Sequence, residues 1–232
     1  MRIRARFTKL GRVRWTSHRD VARMWERALR RGRVPVAYTE GFTPRPQLSF
    51  GLALPTGCES VAEYLDIALD SALEPADLAR EVGSMLPDGV DVVAAGVLEP
   101  GTNSLQEDVS SCLWEIHVPR VAPEDLDVAI ERALDAPTLP IRRERKGRDV
   151  VDDLRPSVLA LSSAGPDAGG ALLRAELGTR PRGVRPSELA QALGVELGLA
   201  RRTCQWIERD GSRWEPLMVD PSGITVPWER AS

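Results

Sequence analysis

The sequence predicts an α+β protein made of two tandem ferredoxin-like (βαββαβ) units with antiparallel sheets. Three observations lead there. The order strand, helix, strand, strand, helix, strand is legible twice along the 232 residues. Three helix starts share one local formula: Pro75-Ala76-Asp77-Leu78, Pro123-Glu124-Asp125-Leu126 and Pro186-Ser187-Glu188-Leu189. A join near Pro100 to Asp108 separates the two runs. The expected division is a unit over 1–100 with a basic head, a second over 109–210, and a tail over 211–232.

Each element has a local reason. Arg2 to Phe7 alternates strictly, with Ile3, Ala5 and Phe7 on one face and Arg2, Arg4 and Arg6 on the other, which is a half-buried strand. Ser17 to Asp20 has the spacing of a helix N-cap with an acid at N3. The helix that follows puts Val21, Met24, Trp25, Ala28 and Leu29 on one face and Arg19, Arg23, Arg27 and Arg30 on the other, and Gly32 and Pro35 end it. Gln47 to Leu54 and Glu63 to Asp70 read as strands, then a helix from Pro75 and a strand from Val90 to Leu98.

The second run has a strand carrying Cys112, Trp114, Ile116 and Val118, then a helix from Pro123. Leu139 to Arg145 and Val150 to Leu154 are extended, with Lys146-Gly147-Arg148 as a tight turn. A strand with Ala171, Leu173, Ala175 and Leu177, a helix from Pro186 and a strand from Thr203 to Arg209 complete it. Proline suits the first helical turn, where its missing N–H is not needed, and an acid there meets the positive end of the helix dipole. The small, polar stretch Ser162 to Gly170 reads as a mobile hairpin tip.

Composition excludes several classes. Hydrophobic residues at 42% and charged residues at 28% are ordinary for a globular chain, and the length supports a sizeable core. Three widely spaced cysteines and two histidines are too few and too scattered for a four-ligand metal site, so no metal and no cofactor are expected. The odd cysteine count argues against a disulfide framework. The N-terminus has no apolar signal core, and no apolar run approaches the ~18 residues of a membrane span. A cytoplasmic location without membrane attachment follows as the expectation.

Net charge is −3, but residues 1–50 hold 13 basic and 3 acidic residues, whereas 51–135 hold 3 and 18. A basic head on an acidic body means either an anionic partner for the head or internal charge pairing. Asp66 and Asp70, on the third strand of a ferredoxin-like sheet, would face the first-strand arginines and absorb part of their charge. The helix stripe has only Glu26 in its own helix to answer it.

No phosphate-binding glycine loop, nucleophile elbow or metal-ligand pair is present. His18 is the one candidate general base in the basic head; its alternative role is to fix the helix start. The stretch Glu40 to Phe50 is the least generic: Gly41, Pro44 and Pro46 would stiffen a loop that holds Phe42 and Arg45 outward. Such a loop offers base stacking and phosphate contact, or it merely pins a crossing.

The runs Thr16-Ser17-His18-Arg19-Asp20, Glu26-Arg27-Ala28-Leu29-Arg30-Arg31, Gly41-Phe42-Thr43-Pro44-Arg45-Pro46, Leu48-Ser49-Phe50 and Leu54-Pro55-Thr56-Gly57 resemble the radical SAM-linked protein family. Lys146-Gly147, Asp152 and Leu154-Arg155-Pro156 fit the same pattern. Arg19 stands where a Leu is usual, and Asp153 is inserted before Leu154. The resemblance implies a domain encoded beside, or fused behind, a radical SAM protein, in some genomes near a ribonuclease of the E/G type. This chain lacks the C-x-x-x-C-x-x-C cluster motif of the enzyme itself, so the resemblance supplies a partner rather than a reaction. Tandem ferredoxin-like units are also similar, at fold level, to CRISPR repeat-processing endoribonucleases.

The leading expectation is a non-catalytic accessory protein of a radical SAM enzyme that binds RNA, or presents substrate, through the basic head. Lys9, Arg14, Arg19, Arg23, Arg27 and Arg45 would contact phosphate. Tyr38 or Phe42 would stack a base, and Ser17, His18, Ser49, Lys146, Asp152 and Arg155 complete the candidate set. The alternatives are a metal-independent RNA-processing enzyme using His18 as base, and a pure protein–protein adaptor.

Overall fold

The computed structural model describes residues 1–145 and 147–217. The protein is mixed α+β with mostly antiparallel strands, and it divides into two compact units. The first comprises residues 1–109 with residues 206–217, the second 110–205. The described part of the expected tail, 211–217, therefore groups with the first unit.

In the first unit, β1 (Arg2–Lys9) leads through a 3₁₀ turn at Gly11–Trp15 into α1 (His18–Arg31). Then come β2 (Leu48–Phe50), β3 (Glu59–Ala68), α2 (Pro75–Val82) and β4 (Val92–Val97). The strands lie in the order β4-β1-β3, with β2 beside β3, all antiparallel. Ile3, Ala5 and Phe7 of β1 pack with Val21, Trp25, Ala28 and Leu29 of α1, Leu65 and Ile67 of β3, and Leu78 and Val82 of α2. Phe7 meets Trp25 edge to face at 5.1 Å between ring centroids. β2 is shorter than the 47–54 stretch suggested, because only Leu48 to Phe50 finds register, opposite Ile67 to Leu65. β3 begins earlier than expected: Glu59 and Ser60 are polar yet buried, and Glu59 accepts the Gly11 N–H at 2.8 Å.

A single-turn helix, α3 (Leu105–Asp108), occupies the join and is closed by a capping box of Ser104 and Glu107. The second unit follows with β5 (Val109–Pro119), α4 (Pro123–Asp135), and a hairpin of β6 (Pro140–Arg145) and β7 (Arg148–Asp153). Then come β8 (Val158–Asp167), β9 (Gly170–Gly178), α5 (Pro186–Leu193) and β10 (Ala200–Arg209), whose residues 206–209 return to the first unit and pair with β11 (Ser212–Trp214). The strand order is β10-β5-β9-β8, and β6 and β7 form a separate two-stranded sheet. All three helices expected from the proline formula start at their proline.

The stretch 162–170 is not a long tip. β8 runs to Asp167 and pairs with β9 through a register shift between Ser163 and Pro166, so the turn is only two residues. As an edge strand, β8 needs backbone pairing and little apolar alternation, and it tolerates Pro at an irregularity.

Candidate functional site

The basic head separates into two populations. The β1 arginines turn to internal partners. Arg4 and Asp66 are direct cross-strand neighbours; Nε and Nη2 donate to the two carboxylate oxygens at 2.7 and 2.8 Å, both groups being nearly inaccessible. Arg4 Nη1 also donates to the Pro216 carbonyl at 3.2 Å. Arg6 pairs with Glu215 at 2.6 Å and donates to the Val61 carbonyl, and Arg2 donates to the Thr102 carbonyl. Lys9 was expected to contact phosphate, but it is buried and its Nζ donates to the Thr16 carbonyl at 2.8 Å.

The α1 arginines point outward. Arg19, Arg27 and Arg30 are exposed and make no side-chain hydrogen bond or ion pair among the described residues. The same holds for Arg12, Arg31 and Arg33. Arg23 is exposed and lies 3.7 Å from Asp20. The helix forms this way because its apolar residues recur at one face and satisfy the core, leaving the arginines at i, i+4, i+8 and i+11 in water. Between Arg19 and Arg30 they line about 16 Å of helix.

The start of α1 is fixed by Ser17. Its hydroxyl accepts the Asp20 N–H at 3.2 Å and donates to the Asp20 carboxylate at 2.7 Å. That side-chain hydrogen bond, ahead of Arg23 and Arg19, holds the Asp20 carboxyl below its ordinary range despite some desolvation. Ser17 is therefore occupied as a cap. His18 is exposed and meets Phe50 edge to face at 5.3 Å. With Lys9, Glu63 and Tyr64 it lines a cavity of about 10 Å³, room for a single water.

Tyr38 and Phe42 are exposed, Phe42 completely. Their loop is closed by paired Thr39 and Arg45: Thr39 N–H donates to the Arg45 carbonyl at 2.9 Å, and Arg45 N–H to Thr39 Oγ1 at 3.0 Å. The Arg45 side chain is left exposed. Ser49 is exposed on β2 opposite Asp66. Arg14 lies 3.5 Å from Glu59 and 5.2 Å from the Trp15 ring centroid. Trp15 is 64% exposed and was not among the expected residues, although no apolar partner at helical spacing claims it in the sequence.

The remaining candidates, Lys146, Asp152 and Arg155, belong to the second unit. Asp152 accepts from Arg143 and, at 3.1 Å, from Arg182 Nε, while Arg182 Nη1 donates to Glu188 at 2.8 Å. The Arg143 hydrogen bond, then that of Arg182, keeps the Asp152 carboxyl below its ordinary range against opposing desolvation. Arg155 donates to the Leu134 and Val158 carbonyls at 3.0 and 3.2 Å, tying the end of α4 to the start of β8. Both residues serve as internal struts. Lys146 lies outside the described residues; its neighbour Gly147 has φ +74° and precedes Arg148, which pairs with Arg145 across the hairpin. Among the described residues no group of three or more His, Cys, Asp or Glu is placed to hold a metal ion, and the three cysteines are buried thiols. No helix among the described residues is long and apolar enough to cross a membrane.

Fold and surface together define an α+β protein with an outward cationic helix face. The chain belongs to the family described as "Uncharacterized protein conserved in bacteria (DUF2344)", which matches residues 2–186. No curated protein matches it. Among solved structures it is similar to a chain in "Crystal Structure of a Cbf5-Nop10-Gar1 Complex", at 12% identity and a TM-score of 0.47, over 88% of this chain. The chain spans 48% of that relative's length.

Proposed function

We propose that the protein is a non-catalytic accessory protein of a radical SAM enzyme, and that the outer face of α1 binds RNA or presents an RNA-borne substrate to that enzyme. The observation that carries the reading is the division of charge. The strand arginines Arg4 and Arg6 are neutralised internally, while Arg19, Arg27 and Arg30 remain exposed with no ion-pair partner among the described residues. A row of cations that the protein does not neutralise favours a polyanion, and arginine forks match phosphate geometry. The enzyme partner rests on the sequence resemblance, and a cytoplasmic location goes with it. Each unit's order, β4-β1-β3-β2 and β10-β5-β9-β8, supports the tandem ferredoxin-like reading, with β6–β7 inserted after α4.

A second reading keeps the RNA but makes the protein a metal-independent processing enzyme. What favours it is that His18, Lys9, Glu63 and Tyr64 line one small cavity. His18 would take the proton of a 2′-hydroxyl. Cleavage that survives His18→Ala would remove this reading.

The test is a pull-down of the tagged protein from its own cells, with and without RNase, reading protein and RNA together. A radical SAM protein and a discrete RNA recovered together, the enzyme released by RNase, is the expected result. A radical SAM protein retained after RNase, with no RNA recovered, would make the protein a direct adaptor and overturn the RNA half.

A further inference from the structure

We infer that Trp15 is a stacking platform for an unpaired nucleobase, so that the α1 face takes single-stranded RNA in preference to duplex. The inference rests on the RNA reading above and names its substrate class. Trp15 lies two residues before the Ser17 cap, at the end of α1 that carries Arg19 and Arg23. Its indole is 64% exposed, yet one side of its six-membered ring is in close contact with the Gly57 turn. Gly57, at φ +90°, lies against the six-membered ring: a Cβ there would sit 3.0 Å from Trp15 Cζ3 and 3.5 Å from Cη2. The Gly57 N–H donates to the Arg14 carbonyl at 2.8 Å, which ties this turn to the segment bearing the indole. The Arg14 guanidinium lies over the ring, 5.2 Å from its centroid, and is itself 3.5 Å from Glu59, so a stacking base takes the face that Arg14 leaves open.

An exposed indole fixed in this way loses little freedom when a ligand covers it. The ligand must offer a flat face and a negative charge within reach of the arginines. A duplex hides its base faces in its own stack, and A-form grooves expose mainly edges, hydroxyls and phosphates. An unpaired base offers both the face and the adjoining phosphate, and stacking tolerates any base. An acidic peptide would answer the arginines but supplies no flat face for the indole. Phe42 and Tyr38 are exposed as well, on a loop whose described contacts are backbone, hydroxyl and Gln47 amide hydrogen bonds rather than a ring support.

The experiment is an anisotropy titration of the full chain against a short labelled oligoadenylate and a duplex RNA of equal length. Wild type, Trp15→Ala and Trp15→Phe are compared, with circular dichroism confirming that each variant is folded. Wild type should bind the single strand more tightly than the duplex. Trp15→Ala should weaken the single strand by about five- to a hundredfold, leave the duplex unchanged, and be largely rescued by Trp15→Phe. Single-strand affinity unchanged in Trp15→Ala, or an equal loss on both RNAs, overturns the stacking role and leaves the RNA reading standing. Absence of any RNA affinity in wild type overturns both. Trp15-dependent binding of an acidic peptide that displaces the oligoadenylate would hand the platform to a protein partner.

Discussion

Replacing Asp66 by Asn tests whether the strand arginines are neutralised inside the protein. The change keeps the side chain's shape and removes its charge. Arg4 and Asp66 are 2% and 5% exposed, they face each other across β1 and β3, and two short hydrogen bonds join them. Breaking such a buried pair from one side costs about 3–5 kcal/mol, because the remaining cation is stranded in a poor solvent. The same change in a solvent-exposed pair would cost about 0–1 kcal/mol. With a urea m-value of about 1–3 kcal/mol/M, the midpoint should fall by roughly 1–5 M. Replacing both partners, Arg4→Met with Asp66→Leu, should recover most of the loss, since no charge is then left alone; the Pro216 carbonyl still loses its Arg4 donor. The assay is a double-mutant cycle by urea unfolding. A loss below about 1 kcal/mol for Asp66→Asn would mean the pair behaves as a surface pair, and the argument from divided charge would fail.

Other outcomes follow from the same structure. Ser17→Ala removes the cap of α1 and should cost about 1 kcal/mol in thermal or urea unfolding near neutral pH. Because the Asp20 carboxyl is depressed in the folded state, chiefly by Ser17, its contribution is present above the ordinary carboxylate range near pH ~4 and is lost as pH falls through the lower folded value. The Ser17→Ala penalty should therefore shrink in strong acid, and a penalty constant from neutral to acid pH would contradict the capping box. Gly57→Ala combines positive φ with a close approach to Trp15 and should cost about 1–2 kcal/mol while shifting the tryptophan emission; unchanged stability and emission would show that Gly57 does not support the ring. Asp152→Asn should speed amide exchange in the β6–β7 hairpin and the first turn of α5, with β5 and β9 unaffected; uniform exchange rates would show that the Arg143–Asp152–Arg182 link does not hold the hairpin.

Much of this was legible locally. Strict alternation in Ile3, Ala5 and Phe7, the apolar face of α1 and the three proline starts each became the expected element. The Arg4–Asp66 pair could be anticipated because sheet order converts two distant charge patterns into neighbours. What sequence could not give was which arginine turns inward, since alternation assigns a face but not its covering; Glu215, from the far end of the chain, answers Arg6. By strict alternation Lys9 falls on the face of Ile3, Ala5 and Phe7, and it is buried, past a register shift between Phe7 and Lys9. The edge strand β8 read as a loop because Ser, Gly and Pro carry no alternation. Ser104 to Glu107 carried a visible capping spacing, yet a single turn is too short to show helical periodicity. Trp15 carried only a negative signal, the lack of an apolar partner at helical spacing: its exposure is a tertiary outcome, and Gly57, which makes room for it, is forty-two residues away.

The most direct test of the central claim is the salt dependence of RNA affinity for the wild-type chain and for a variant with Arg19, Arg23, Arg27 and Arg30 changed to Gln. Each arginine that neutralises a phosphate on a single strand contributes about 0.7 to the slope of log K against log salt. The variant should bind more weakly at low salt, with a slope shallower by up to about 3. Equal slopes and affinities in the two proteins would contradict the account, because the RNA would then be seated somewhere other than α1.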